Sequence, residues 1–175
     1  LQGWSKAIET ADPTMVQAPQ DLNALESRLQ YSEASTKSRD KDPQARLELA
    51  ESTLAFALER AGNPVLLSRG TANKHVQLLY EDALREAKAA ESLGAKGWRL
   101  NALLAVSSWN LGKFDDAYAR AEAAVTGMPA DAGDRISLNA VLVFAEARQQ
   151  AIADAVRAKK DWPPQWLTDL NAAYS

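Results

Sequence analysis

Apolar residues recur every three or four positions along most of this chain, which is the spacing of a helix with one buried face. Asp42 before Pro43 and Gly112 after Leu111 fit the residue preferences of a helix start and a helix end. No run alternates β-branched with polar residues, so the sequence predicts an all-α chain. The pattern predicts helices over 21–35, 43–61, 73–93, 98–111 and 114–127, and a short amphipathic cap over 164–173.

Two registers compete over 134–160. The triplet 138–140 repeats 100–102 at an offset of 38, whereas the alanines of 151–158 follow those of 117–124 at an offset of 34. Both offsets cannot hold together, and no glycine marks a turn. This segment is therefore predicted to be one long helix, or a helix pair with an unmarked break near Arg148.

One fixed offset of 34 residues relates 80–90 to 114–124. Equivalent pairs are Tyr80 and Phe114, Glu81 and Asp115, Asp82 and Asp116, Ala83 and Ala117, Ala87 and Ala121, and Ala90 and Ala124. A stripe of small residues lets two helix axes approach closely, and a period near 34 is typical of arrays of two-helix repeats.

The stretch 98–131 resembles a tetratricopeptide repeat (TPR), and 78–97 resembles one less closely. The residues that carry the resemblance are Leu104, Ala105, Gly112, Phe114, Ala117, Ala124 and Pro129. Ser108 and Ala121 stand where the family has aromatic residues, with Trp109 one place after the first. The resemblance implies a TPR-like antiparallel helix-hairpin solenoid of two to three repeats with flanking helices.

In TPR folds the first helices of successive repeats line a concave groove. By resemblance, the groove positions here are Arg99, Ala102, Val106, Trp109 and Asn110. Family members that bind a terminal carboxylate have lysine and asparagine at the places of Ala102 and Val106, so a more apolar groove is expected. The alternative for Trp109 is that it fills the core space left by Ser108.

The pattern divides the chain into an N-terminal segment, 1–43, and a TPR-like helical repeat domain with a C-terminal capping helix, 44–175. Residues 1–20 contain Pro13, which could open a short helix, and 35–42 are expected to form an exposed loop. Seventeen residues separate Gly62 from Tyr80, compared with one between Gly112 and Phe114. We expect part of this insertion to lengthen the second helix and 63–72 to form a loop.

Composition narrows the classes of function. The 46% apolar and 25% charged residues are typical of a globular chain, and the net charge of −3 argues against a nucleic-acid or anionic-membrane partner. Without cysteine there are no disulfides and no thiol chemistry. No apolar run approaches the length of a membrane span. The chain begins at Leu1 and not at methionine, so we expect a processed chain or part of a longer one, from which any export signal would be missing.

No cluster of residues predicts catalysis, a cofactor or a metal. The pairs Glu81–Asp82 and Asp115–Asp116 are neighbours on a helix and diverge, so helix-start charge explains them better than acid–base chemistry. His75 is the only histidine and is expected at the surface, in the first turn of a helix.

The sequence thus favours a non-catalytic interaction or scaffold module that binds a peptide or partner surface in a concave groove. The alternative is an accessory recruitment or oligomerisation domain of a larger enzyme or transport assembly, for which the tryptophan-rich tail at 162–166 is the motive. A third possibility is a helical enzyme or small-ligand binder with a pocket under the 63–72 loop.

Overall fold

The computed structural model describes residues 21–61 and 73–173. Within these ranges the chain is all-α, with no strand. The helices are α1 (Leu22–Ser38), α2 (Pro43–Arg60), α3 (Lys74–Ser92), α4 (Trp98–Asn110), α5 (Phe114–Gly127), α6 (Arg135–Arg157) and α7 (Gln165–Ala173). None of these helices combines the length and the apolar composition that a membrane crossing requires.

Four of the helices have an N-cap side chain that bonds to the backbone of the first turn. Asp21, Asp42, Asn73 and Asp134 each accept a hydrogen bond from the backbone N–H two residues later. This bond satisfies one of the backbone donors that a helix start leaves without a partner. Asp42 before Pro43 therefore begins α2 as the sequence predicts.

Two helix pairs form the centre of the molecule, α2 with α3 and α4 with α5. The helix that follows each pair packs against both of its members: α4 on α2 and α3, and α6 on α4 and α5. The outer helices have one described neighbour each, since α1 packs on α2 and α7 on α6.

The alanine stripes lie at the helix contacts. Ala83, Ala87 and Ala90 of α3 and Ala117, Ala121 and Ala124 of α5 are all fully buried. The first stripe belongs to a core cluster built mainly by α2, α3 and α4. Ala117 and Ala121 pack in a second cluster with Trp109 and Phe144. Both stripes are therefore fully buried.

The expected loop over 35–42 is wrong in its first half. Helix α1 continues to Ser38 because Thr36 is buried and its hydroxyl donates to the carbonyls of Ser32 and Ala45, at 2.8 and 3.1 Å. The connection is therefore Arg39–Asp42.

Of the two alternatives for 134–160, one long helix is correct, because α6 runs unbroken through Arg148 over 23 residues. Helix α3 begins six residues before Tyr80, so part of the insertion lengthens it as predicted. The predictions for the helix start at Pro13, the helix end at Gly62 and the 63–72 loop lie outside the described residues.

Candidate functional site

The positions predicted for a partner groove lie on α4, between its neighbours. Three of them are buried: Ala102, Val106 and Trp109. Trp109 is therefore part of the core, which was the alternative to a groove position. Its indole Nε1 donates to Glu146 Oε2 of α6 at 2.8 Å, and its ring meets Phe114 edge to face. Asn110 donates to the carbonyl of Val106 in its own helix at 2.8 Å.

Arg99 joins three helices. Its Nε donates to Glu51 of α2 at 3.1 Å, and its NH1 donates to both carboxylate oxygens of Asp134, at the start of α6, at 2.9 Å. Glu51 also pairs with Arg28 of α1 at 2.8 Å. The guanidinium of Arg99 is therefore paired with carboxylates from α2 and from the start of α6.

These contacts set the ionisation of the carboxylates. Burial of Glu51 opposes its charge, but hydrogen bonds and charge from Arg99 and Arg28 outweigh burial and hold its pKa below the ordinary 4.5. Burial likewise opposes the charge of Asp134, yet hydrogen bonds from Ser137 and Arg99 lower its pKa below 3.8. Both groups are carboxylates engaged in structural ion pairs.

A second ion pair links α2 directly to α6. Arg135 and Glu59 are hydrogen-bonded, and both side chains are largely buried. Together with the Arg99 contacts, this pair holds α6 against the face of α4 that the TPR resemblance assigns to a groove. A partner contact by Arg99 and Asn110 stays a prediction.

The acidic pairs differ in position. Asp115 and Asp116 lie in the first turn of α5, as expected. Helix-start charge is wrong for Glu81 and Asp82, because α3 begins earlier, at Lys74. There Asp82 pairs with Arg85, and Glu81 accepts from Gln77 at 3.4 Å.

His75 is exposed in the first turn of α3, as predicted. Among the described residues, no three histidine, cysteine, aspartate or glutamate side chains form a group that could hold a metal ion. The part of the chain that the structure describes thus supplies no candidate metal centre.

A different surface is open. Helices α1 and α3 both pack on α2 but not on each other, and this leaves a hollow between them. Two pockets lie along it, a charged one of about 500 Å³, the charged half, and a more apolar one of about 620 Å³, the apolar half, and Leu79 lines both. We call this surface the α1–α3 groove. Its charged half includes Glu33 and Lys37 of α1, Asp40 of the connection after α1, Arg46 of α2, and Asp82, Arg85 and Glu86 of α3. Its apolar half includes Leu22, Phe56, Val76 and Leu78.

The charged half has an excess of one acid, with four carboxylates and three cations. Arg46 donates to the buried Glu86 at 2.6 Å, and Arg85 pairs with both Asp82 and Glu86. The exposed charges that remain are Glu33 and Lys37 of α1 and Asp40 of the connection after it, and within the described residues neither Glu33 nor Asp40 has an ion-pair partner. The open wall of the groove is therefore acidic on balance.

Sequence reasoning missed this groove because it assigned the end of α1 to a loop. One signal was present: Leu25, Leu29, Ser32 and Thr36 are spaced four, three and four apart, which extends the helical stripe through small polar residues. Serine and threonine are poor indicators of burial, so the stripe appeared to end at Leu29.

No family model matches this chain, and neither a curated protein nor a solved structure does. What the chain can bind is therefore inferred from the groove, its charges and the helices that line it.

Proposed function

We propose that this chain is a non-catalytic interaction module that binds a segment of a protein partner in the α1–α3 groove. The observation that carries the proposal is the groove itself, whose apolar half and charged half are both lined by Leu79. Mixed apolar and polar lining is typical of surfaces that bind peptides, because apolar contacts supply affinity and polar groups fix orientation.

A TPR-like solenoid of two to three repeats is the architecture we infer for the module. Its support is the recurrence of one packing arrangement: α4 on the α2–α3 pair and α6 on the α4–α5 pair. The equal burial of the two alanine stripes, at the sequence offset of 34, is the second support. Stacked hairpins of this kind commonly present extended binding surfaces.

The groove dimensions suit a short segment. Residues 75–86 of α3 line it from end to end, which is about 16 Å of helix at ~1.5 Å per residue. Five extended residues at ~3.3 Å each cover that length. The bound segment is therefore about five residues long when extended.

Charge and polarity specify the kind of segment. Leu78 is 52% exposed and Leu22 is 39% exposed at the apolar end, which suits an apolar side chain of the partner. At the other end, Glu33 and Asp40 suit lysine or arginine. We therefore propose a segment with an apolar residue at one end and a basic residue at the other.

A selection from a random peptide phage library tests this proposal. We expect the enriched peptides to combine an apolar and a basic residue, and to bind the Glu33→Lys/Asp40→Lys variant at least about tenfold more weakly, because both changes reverse charge on the open wall. Fluorescence anisotropy with synthetic peptides measures the affinities.

Asp131→Lys/Asp161→Lys is the matched control, since it makes the same change of charge at exposed positions in two loops remote from the groove. Equal weakening by both double variants would show that only net charge matters, and unchanged binding by the groove variant would exclude the groove as the site.

The alternative role, as an accessory or oligomerisation domain of a larger assembly, has one supporting observation. Val156 at the end of α6 is 60% exposed and Leu167 of α7 is 41% exposed. Exposed apolar residues at the end of a helical array are suited to contact with a further domain or copy. Sedimentation velocity of the chain and of Leu167→Glu would support this role if a dimer forms and is lost in the variant.

A further inference from the structure

The first described helix contributes few buried apolar residues to its contacts with the other described helices. Leu25 is the only apolar side chain of α1 that is buried. No residue of α1 belongs to either hydrophobic cluster of the described core. Helix α2, in contrast, contributes Ala50, Leu54, Ala57 and Leu58 to the main cluster. Burial of apolar surface is the largest favourable term in helix packing, and α1 has little of it.

The α1–α2 interface includes buried polar contacts. The hydroxyls of Ser32 and Ser52 are 2.9 Å apart, and Thr36 donates across to the carbonyl of Ala45. Such bonds add little net stability, because water replaces them when the helices separate. The interface also has two ion pairs, Arg28–Glu51 and Arg39–Glu48, and in both the arginine side chain is about half exposed, which weakens the pair.

Helix α2 is held without α1. It packs against α3 and α4, and its Glu59 pairs with the largely buried Arg135 of α6. Glu51 keeps Arg99 as a partner when Arg28 leaves. Loss of α1 therefore leaves Glu51 and Glu59 of α2 paired and the contribution of α2 to the main cluster in place.

The other outer helix is anchored differently. Arg148 of α6 pairs with Asp169 of α7 at 3.1 Å and also packs over the ring of Trp166. Within the described residues, α1 has no aromatic or cation–π contact of this kind with α2.

We infer that α1 is a releasable wall of the α1–α3 groove, which separates from α2 while α2 to α6 remain folded. Release uncovers the face of α2 around Ser52 and joins it to the groove floor at Thr53 and Leu49, so that a broader binding surface forms. The link between release and partner binding rests on the proposed function, whereas release itself does not.

Cysteine labelling measures the release. The chain has no cysteine, so Ser52→Cys places a single thiol under α1. Ser107→Cys is the matched control, because Ser107 is fully buried in α4 and its hydroxyl has no hydrogen-bond partner among the described residues. We expect a thiol reagent in excess to modify Ser52→Cys at least about 100-fold faster than Ser107→Cys, with weak dependence on urea, because only local opening is needed.

Equal labelling rates with the same steep urea dependence would overturn the inference, since α1 would then open only when the whole molecule unfolds. Hydrogen exchange of the unmodified chain is a second measurement that needs no variant. Protection factors at least about 30-fold lower for 28–34 than for 50–57 support release, and equal factors contradict it.

An engineered disulfide provides the reversal. Ser32→Cys/Ser52→Cys replaces two hydroxyls that already touch, so oxidation should cross-link α1 to α2. We expect the oxidised protein to regain protection over 28–34 and to lose it again on reduction; no change between the two forms would contradict release. A failed peptide selection with successful labelling would reject the proposed function alone, and the opposite result would reject release alone.

Discussion

Single residues with left-handed backbone end three of the helices. Gly94, Gly112 and Lys159 have φ values of +102°, +74° and +53°. After each, the next N–H reaches back five residues to a helix carbonyl, as in the bond from Lys113 to Ser108. Among the described residues Lys159 is the only non-glycine with positive φ, and an L side chain is strained there.

Replacing Lys159 with glycine should therefore stabilise the protein. We expect Lys159→Gly to raise the free energy of unfolding by about 0.5 to 1 kcal/mol, because glycine adopts positive φ without steric cost. Urea unfolding followed by circular dichroism measures the change. Lys160→Gly removes the same charge one residue later, so an equal gain in that control would argue against backbone strain as the cause.

The ion pairs between Arg99 and its carboxylate partners make the free energy of unfolding depend on pH. The folded pKa of Glu51 is lowered, so its contribution is complete above the ordinary value of 4.5 and is lost as pH falls below it. Near pH 7 we expect the free energy of unfolding of Glu51→Gln to be about 1 to 2 kcal/mol lower than that of the original chain. This difference should shrink below about pH 4. Urea titrations at several pH values measure it, with Glu26→Gln, an exposed change in α1, as the control. A gap that stays constant with pH would contradict the role of the Glu51 charge.

At the scale of the helix, small residues decide how closely neighbours pack. Ala121 is fully buried in α5 beside Trp109, Val143 and Phe144, whereas Ala123, two residues later, is exposed. Helical periodicity places the two alanines on different faces, although the sequence around them is uniformly rich in alanine. The stripe and its period were therefore more informative than composition.

A larger side chain at these two positions separates packing from helix propensity. We expect Ala121→Leu to destabilise the protein by about 1 to 3 kcal/mol, because the added atoms have no space between α5 and α6. Ala123→Leu should change stability by less than about 0.5 kcal/mol. Thermal unfolding measures the stability of both variants. Equal destabilisation by the two changes would contradict a close contact at Ala121.

Local signals explain which helices could be predicted. Asp42 before Pro43 and Gly112 after Leu111 act within one turn, so the starts and ends that they mark are correct. The last turn of α1 depends instead on Thr36 bonding to Ala45, nine residues away. A contact of this kind follows from tertiary packing and not from spacing, which is why the loop prediction was wrong there.

For the whole molecule, the candidate binding surface was harder to predict than the helices. Arg99 was expected to line a groove. In the structure its guanidinium pairs with Glu51 and Asp134, which are 48 and 35 residues away in the sequence. The α1–α3 groove exists because two helices that do not touch share α2 as a floor. Neither arrangement has a signature in a single sequence, since both depend on the relative positions of helices far apart in the chain.

Methyl NMR shows whether a partner segment binds between α1 and α3. A peptide enriched in the phage selection is titrated into protein labelled at leucine and valine methyl groups. The proposed site predicts shifts at Leu29, Leu49 and Leu79, which line the groove, with little change at Val125 and Val141, which lie on α5 and α6. Shifts confined to Val125 and Val141, with the three groove leucines unchanged, would contradict it.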